Sequence, residues 1–354
     1  MLSGNKGEWS EIYTFFKLLS EQVLYSGDEN LNKISTLFYP IVKILRQEAV
    51  GDFEYLIDRD IVIVRGGEEE LRIPCKTFHQ KATQLYREIK ANTGAFALPS
   101  IQNFMESIHC YSVKAKSSDK TDIKIVIHDL RTGLEPTLGF SIKSEVGAAS
   151  TIFNTNKDKT NFLYRISGIS ADDARQVNSM IKSFLPKFQR LNELGANIEF
   201  AGIVGKILRN NLDYADGHLP AILGRMILLY YSTPLSKIKE ITERVKQENP
   251  LNFDYSDNQD FYEHKVKRLL TECTLGLKGT TVWRGKYEAT GGYLIVKENG
   301  DVICYHIYDR NQFENYLFNN TRFDTPSTTR HDFGNIFQEN GEFFIKLNLQ
   351  IRFI

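Results

Sequence analysis

The chain has 354 residues, 42% of them hydrophobic and 25% charged, with Lys plus Arg and Asp plus Glu balanced at 44 each. This is ordinary globular composition with material for a core, in one large domain or two modest ones. The zero formal net charge gives no hint of nucleic-acid binding and leaves only a local basic groove open. Cys75, Cys110, Cys273 and Cys304 lie far apart with no CxxC pair, which argues against a zinc site or a disulfide scaffold and fits a reducing cytoplasm. The polar start MLSGNKGEWS lacks a signal-peptide core, and the longest apolar runs, such as AILGRMILLYY, are too short to span a bilayer, so a soluble cytoplasmic protein with no membrane partner is expected.

KGEWSEIYTFFKLLSEQ carries the first helical pattern. At about 100° per residue, Trp9, Ile12, Tyr13, Phe15, Phe16, Leu18 and Leu19 fill one arc, while Ser10, Thr14 and Lys17 fill the solvent-facing one. Glu8 and Glu11 fall inside the apolar arc, where a carboxylate is costly unless it meets a cation, a metal or good donors. ISTLFYPIVKILRQEA is expected to be helical, interrupted by Pro40. YLIDRDIVIVRGGEEELRIPC predicts strands around a Gly66-Gly67 turn, and KTFHQKATQLYREIKA and PSIQNFMESI predict helices.

Ile123 to His128 and Leu138 to Lys143 form a predicted antiparallel pair, followed by a polar stretch, ASTIFNTNKDKTN, and a short strand, FLYRI. SADDARQVNSMIKSFLPKFQRLNEL is expected as one helix capped by Ser170, with Asp173 completing a capping box. NIEFAGIV is a β run, and further helices are expected near 219–232, 235–248 and 259–272. GGYLIVKENGDVICYHIYD predicts a hairpin with a type I′ turn at Asn299-Gly300, and KLNLQIRFI alternates as a strand.

Several chemistries are absent from the motifs. There is no GxxxxGK[ST], GxGxxG or GxSxG, and Pro74-Cys75 lacks the glycine-rich loop of a methyltransferase. The seven histidines show neither HExxH nor HxH spacing. The informative pair is Asp129, after IVIH, and Lys143 in GFSIKSEVG. In a strand Ser141, Lys143 and Glu145 share one face. Phosphodiester hydrolysis needs carboxylates to hold Mg2+, and a lysine to orient the attacking water and stabilise developing charge. The position two before the lysine, acidic in most nucleases of this type, is Ser141. Glu8 or Glu11 of the first helix is a candidate to supply the missing carboxylate, completing the constellation of the PD-(D/E)XK nucleases.

Beyond these residues, the chain resembles the HpaII-type family of type II restriction endonucleases over nearly its whole length. The resemblance is carried by GNKGEWSEIY, by GFSIKSEVG with TIFNTNKDKTNFLY, by DGHLPAIL, and above all by ATGGYLIVKENGDVICYHIYDR through KLNLQIRF. It implies Mg2+-dependent cleavage of double-stranded DNA at a short palindrome, CCGG, with Mn2+ able to substitute, and a partner methyltransferase that protects host DNA. It places the catalytic positions on Asp129, Lys143 and Glu11, with Asp129, Glu11 or Glu8 as metal ligands. Glu11, Glu8, Glu145 or Asp158 could replace the acid missing at Ser141.

For DNA contact, NNTRFDTPSTTRHDFG offers Arg322, Thr328, Arg330 and His331, since Arg to guanine is the commonest specific major-groove contact. Asn154, Asn156, Lys157 and Lys159 are candidates for backbone phosphates, which position without specifying sequence. The expected fold is α/β, with a restriction-endonuclease-like mixed central sheet flanked by helices, a helix-rich insertion and a C-terminal β region. The expected division is 1–200 nuclease core, 201–278 helical, 279–354 β, in a homodimer that mirrors a palindromic site. The alternatives are a nuclease-fold DNA-binding protein that does not cut, a nuclease acting on RNA or damaged DNA, and an interaction protein with no nucleic-acid partner.

Overall fold

The computed structural model describes residues 1–114, 121–147, 149–180 and 183–354. In chain order it begins with β1 (Ser3–Gly4), α1 (Lys6–Glu21), β2 (Val23–Gly27), β3 (Lys33–Glu48), β4 (Gly51–Asp58), β5 (Ile61–Gly66), β6 (Glu69–Pro74), α2 (Cys75–Ala91), β7 (Phe96–Ala97), α3 (Pro99–Ser107), β8 (Ile123–Ile127) and β9 (Thr137–Ser144). Next come β10 (Thr151–Phe153), β11 (Asn161–Ser167), α4 (Ala171–Ser179), α5 (Phe184–Glu193), β12 (Asn197–Ile203), α6 (Lys206–Ala215), α7 (Leu219–Ser232), α8 (Ile238–Glu248) and α9 (Phe261–Leu275). The chain ends with β13 (Gly292–Val296), β14 (Val302–His306), α10 (Arg310–Asn319), β15 (Thr321–Phe323), α11 (Thr328–His331), β16 (Ile336–Glu339), β17 (Glu342–Asn348) and β18 (Ile351–Phe353).

The protein is a mixed α/β structure built as two units that interrupt each other in sequence, Met1–Ser150 with Tyr287–Tyr316 and Thr151–Lys286 with Leu317–Ile354. These boundaries follow contacts, and they cut across the three consecutive segments expected from the sequence.

The first unit is organised by a sheet of order β2-β14-β13-β9-β8-β3-β4-β5-β6, nine strands among the described residues. β13 runs parallel to β9 and β14 parallel to β2, while the other neighbours are antiparallel. The β3 segment is a strand, not the expected helix, because Ile34, Thr36, Ile41, Val42 and Ile44 are β-branched and pack on a pleated surface. Pro40 is tolerated because it sits where β3 passes from β2 (Val23 opposite Pro40) to β8 (Ile41 opposite Ile127), so no ladder bond needs its missing N–H.

Side-chain alternation divides this sheet chemically. Ile123, Ile125 and Ile127 of β8, Leu138, Phe140 and Ile142 of β9, and Leu294 and Val296 of β13 share a core with α1 and α2. The opposite face therefore carries Lys124, Val126, Gly139, Ser141, Lys143, Tyr293 and Ile295.

Asn5 opens α1 through a capping box with Glu8, and Trp9, Ile12, Phe15, Phe16 and Leu19 are fully buried. Removing each such side chain from water stabilises by about 1.5–3 kcal/mol. Ser10 and Thr14, expected in solvent, are buried too. Their hydroxyls return to the helix backbone at Lys6 O and Ser10 O, and Ser10 Oγ also reaches Ser144 Oγ at 3.0 Å. The β13–β14 hairpin forms as expected, but its turn is not type I′: in the turn Gly300 takes the positive φ (+91°) and Asn299 does not. Gly300 N donates to Lys297 O and Lys297 N to Asp301 O, which closes a longer loop around a left-handed glycine.

The second unit holds the sheet β12-β11-β17-β16 and the smaller sheet β10-β18-β15, with α7 against β12 and β17 and against α5, α6, α8 and α9. The single helix expected after Ser170 is two, α4 and α5, although its Ser170–Asp173 capping box is present. KLNLQIRFI is likewise two strands, β17 and β18, in different sheets. All four cysteines are reduced and buried, and no helix among the described residues is long and apolar enough to cross a membrane.

Phe16 is fully buried edge-on to Phe104 (5.3 Å) and Phe78 (6.0 Å), so Phe16→Ala should cost about 3–5 kcal/mol. Urea denaturation followed by tryptophan fluorescence measures this; a loss under 1 kcal/mol would show that α1 does not anchor the first unit.

Candidate active site

The β8–β9 hairpin has a closed end and an open end, and they differ in chemistry. Antiparallel register sets Val126 opposite Thr137 at the closed end and Ile123 opposite Phe140 toward the open end. Asp122, one residue before β8, therefore lies beside Ser141 on β9. Its backbone N–H donates to Phe140 O at 2.9 Å, and its carboxylate oxygen Oδ2 accepts from Ser141 Oγ at 2.9 Å and from Ile142 N at 2.6 Å. The carboxylate extends the ladder by one bond and is fixed by it. Charge-assisted bonds of this kind are roughly twice as strong as neutral ones. Oδ1 has no hydrogen-bond partner among the described residues and is oriented by the two bonds to its twin.

Lys143 lies two residues beyond Ser141 on the same face, half-buried, with its ammonium 5.6 Å from the Tyr293 ring centroid of the adjacent parallel strand. Cation–π attraction at this range steadies a lysine without neutralising it. Asp122, Ser141 and Lys143 thus form a carboxylate, a hydroxyl donor and a cation on one face at one end of the sheet.

Asp129 is not part of this group. It follows β8 at the closed end, and Lys143 stands six residues past Thr137 (137 to 143), about 20 Å at ~3.3 Å per residue. The expectation that Asp129 and Lys143 meet is corrected by this register. Asp129 instead organises the turn: it is 3% exposed and accepts from Arg131 N at 3.0 Å and Thr132 Oγ1 at 2.9 Å. These bonds, the backbone one foremost, together with the nearby Arg131 guanidinium, hold its carboxyl below the ordinary carboxylate range. Arg131 also donates to Tyr39 Oη, and Tyr39 donates to Asp309, so the closed end carries a polar network of its own. Within it His306 is fully buried on the Tyr39 ring, and burial pushes its pKa down to about 4.

The candidate glutamates also separate. Glu8 is committed twice, to the Asn5 N–H in the capping box at 2.9 Å and to Lys114 Nζ at 2.8 Å; the Lys114 bond leads in drawing its pKa down. Glu145 lies past the end of β9, where the alternation stops, and accepts from Glu298 N at 3.3 Å, on the side of β13 rather than β8. Asp158 is in an exposed turn of the second unit. Glu11 lies on the α1 turn that Ser10 ties to Ser144, at the Lys143 end of β9, and is close enough to Lys114 to raise its pKa after the stronger effect of Glu8. No cluster of three His, Cys, Asp or Glu side chains that could hold a metal occurs among the described residues. Mg2+ does not require one, since it keeps several waters and is bound through one or two carboxylates plus substrate phosphates; Asp122, with one oxygen that has no partner among the described residues, fits that demand.

In the second unit Asn154, Lys157 and Lys159 are exposed around a turn that Thr160 closes through Asn156, its hydroxyl accepting from Asn156 N at 2.8 Å and donating to Asn156 O at 2.9 Å. Arg322 lies on β15, whereas Thr328, Arg330 and His331 lie on α11, capped by Ser327. Buried Asn161 ties this helix down, its amide donating to His331 O at 3.2 Å, and burial lowers the His331 pKa. The NNTRFDTPSTTRHDFG segment therefore contains a strand and a pinned helical turn.

Comparison with known proteins places the chain among the restriction endonucleases, which act on double-stranded DNA. The model of the HpaII restriction endonuclease family matches residues 5–353, and the chain belongs to that family. It is 46% identical over 356 residues, 99% of each chain, to a Haemophilus parainfluenzae protein named Type II restriction enzyme HpaII. The activity is accordingly that of a type II site-specific endonuclease. No solved structure matches the chain.

Asp129→Ala should lower stability by about 1–3 kcal/mol, the cost of unsatisfied buried donors, while cleavage at saturating metal stays near the wild-type rate. Because the folded-state pKa is depressed, this stabilisation is present above the unfolded value of 3.8 and is lost as pH falls through the folded value. The gap between wild type and variant in chemical denaturation should therefore close in acid. Loss of cleavage in a folded Asp129→Ala protein would return this residue to the active site.

Proposed function

We propose that this chain cuts DNA through Asp122, Ser141 and Lys143, a PD-(D/E)XK site in which serine stands where the second acid is usual. The observation that carries the reading is the pair of bonds from Ser141 Oγ and Ile142 N to one oxygen of Asp122, with Lys143 on the same face. The mixed sheet with α1 behind it supports a restriction-endonuclease-like fold for the first unit.

Asp122 and Glu11 are the residues that would hold Mg2+, with Mn2+ as a substitute; such an ion, when bound, neutralises charge at the scissile phosphate and acidifies water. The chain's own groups do the rest. Ser141 donates to one oxygen of Asp122 and leaves the second for a ligand. A carboxylate at 141 would stand next to Asp122 and raise the pKa of one of the pair; the hydroxyl avoids that repulsion. Lys143 donates from its ammonium to the attacking water and to a non-bridging phosphate oxygen, which orients the nucleophile and stabilises the charge that builds during attack.

The family resemblance implies CCGG as the target and a cognate methyltransferase as the functional partner. A palindromic target favours a homodimer, each copy cutting one strand, and an enzyme that works on DNA is proposed to act in the cytoplasm.

Lys143→Ala and Asp122→Ala should each lower the cleavage rate by about 100-fold or more while specific DNA binding survives, read by gel shift in Ca2+. Near wild-type cutting by a folded Asp122→Ala protein would overturn the site. Chelation with EDTA should stop cleavage and added Mg2+ restore it. Glu11→Gln should raise the Mg2+ concentration needed for half-maximal rate, whereas Glu145→Gln leaves it in place; the reverse pattern would transfer the second ligand to Glu145.

A further inference from the structure

The small sheet β10-β18-β15 sets cations side by side. Arg352 of β18 lies directly opposite Arg322 of β15, and an isolated antiparallel bridge sets Lys237 opposite Arg322. Thr151 of β10 faces Arg352 from the other edge. The flanking residues Thr321, Phe323, Ile351 and Phe353 are buried, so alternation turns both arginines to the other face. Their side chains are 38% and 32% exposed.

Like charges directly opposite on neighbouring strands destabilise a sheet, so two facing arginines are costly to the fold. One carboxylate serves both: Asp324 Oδ2 lies 3.1 Å from Arg352 Nε, and its Oδ1 lies 3.8 Å from Arg322 Nη1. Two guanidinium groups carry roughly ten N–H donors, more than one carboxylate can accept. Arg352 Nε is buried without a hydrogen-bond partner among the described residues, so Asp324 attracts both guanidinium groups by charge and donors are left for a ligand.

We propose that Arg322 and Arg352 read guanine bases in the major groove, with Asp324 aligning the two forks and accepting from a neighbouring cytosine amino group. A two-stranded β-ribbon fits the major groove, and guanine offers O6 and N7 as the acceptor pair that an arginine fork matches. The carboxylate decides between base and phosphate. Asp324 repels a phosphate, whereas beside guanine it meets the N4 amino donor that cytosine presents in that groove. Exposed lysines without a carboxylate partner among the described residues, Lys157 and Lys159, suit the phosphate backbone better. The inference rests on site-specific DNA cleavage as the activity and on no particular set of catalytic residues.

The test replaces each guanine of the mapped cleavage site, one at a time, by 7-deazaguanine, which removes the N7 acceptor, and compares kcat/KM with the unmodified duplex. Wild type should lose about fivefold to 150-fold at the guanines contacted. Arg352→Ala and Arg322→Ala should each cut the natural site more slowly but lose the 7-deazaguanine penalty at one guanine. Because each protein is compared with itself, a damaged catalytic centre changes both rates and not their ratio. A target without guanine, a wild-type enzyme indifferent to 7-deazaguanine everywhere, or alanine variants that keep every penalty would each overturn the proposal. The first two outcomes need no variant to fold. If Arg352→Ala lowers the salt slope of DNA binding by about one with every penalty intact, the residue holds a phosphate, and the proposal fails.

Discussion

The hydrogen bonds from Ser141 and Ile142 to Asp122 are the constraint on which the proposed catalytic end of the molecule depends. They tie the residue before one strand to the middle of the next and fix both the register of the hairpin and the direction of the carboxylate. A one-residue slip would turn Lys143 into the α1 core and bring Ile142 to the surface. Register is thus specified twice, by Phe140 and Ile142 among the buried rings of α1 and by the polar bonds on the other face. The same wall that supplies hydrophobic stability on one side presents the chemistry on the other.

The two ends of this hairpin show how polar groups of similar composition take different parts. At the closed end Asp129 has its carboxylate oxygens satisfied by the turn it makes, and Arg131, Tyr39 and Asp309 satisfy one another around buried His306. At the open end one oxygen of Asp122 is held and the other has no partner among the described residues, next to a lysine whose ammonium lies near an aromatic ring. A group whose bonding capacity is used up is structural; one held firmly with capacity left over can act on a substrate.

Much of this was legible in the sequence, and the failures have identifiable causes. The helical spacing of α1, the β8 and β9 strands, the Ser170 cap and the Lys143 face were all readable from periodicity and capping chemistry. The error over the aspartate was one of topology. In a hairpin the residue nearest in sequence to the second strand is farthest from its distal half, so the partner of Lys143 had to come from the start of the first strand. TDIKIVI held that signal, with Asp122 lying 19 positions before Ser141. β3 was misread because a proline amid β-branched residues looks like an interrupted helix, and only the exchange of strand partners explains its tolerance. Arg352 was invisible in KLNLQIRFI because the value of an arginine there arises from what lies across the sheet.

The interleaving of the two units has a consequence for how the protein is made. β13 and β14 fill the gap between β9 and β2, yet they are synthesised after the 136 residues of Thr151–Lys286 that belong to the other unit. Until that hairpin leaves the ribosome, β9 presents an unpaired edge beside Lys143, and Tyr293 is not yet available to steady the lysine. An open edge is a site of mispairing with other chains. A nascent chain, or one truncated before residue 287, therefore carries every proposed catalytic residue without a finished sheet to hold them. The proposed catalytic residues gain their finished sheet only after Gly292–His306 has been made and paired.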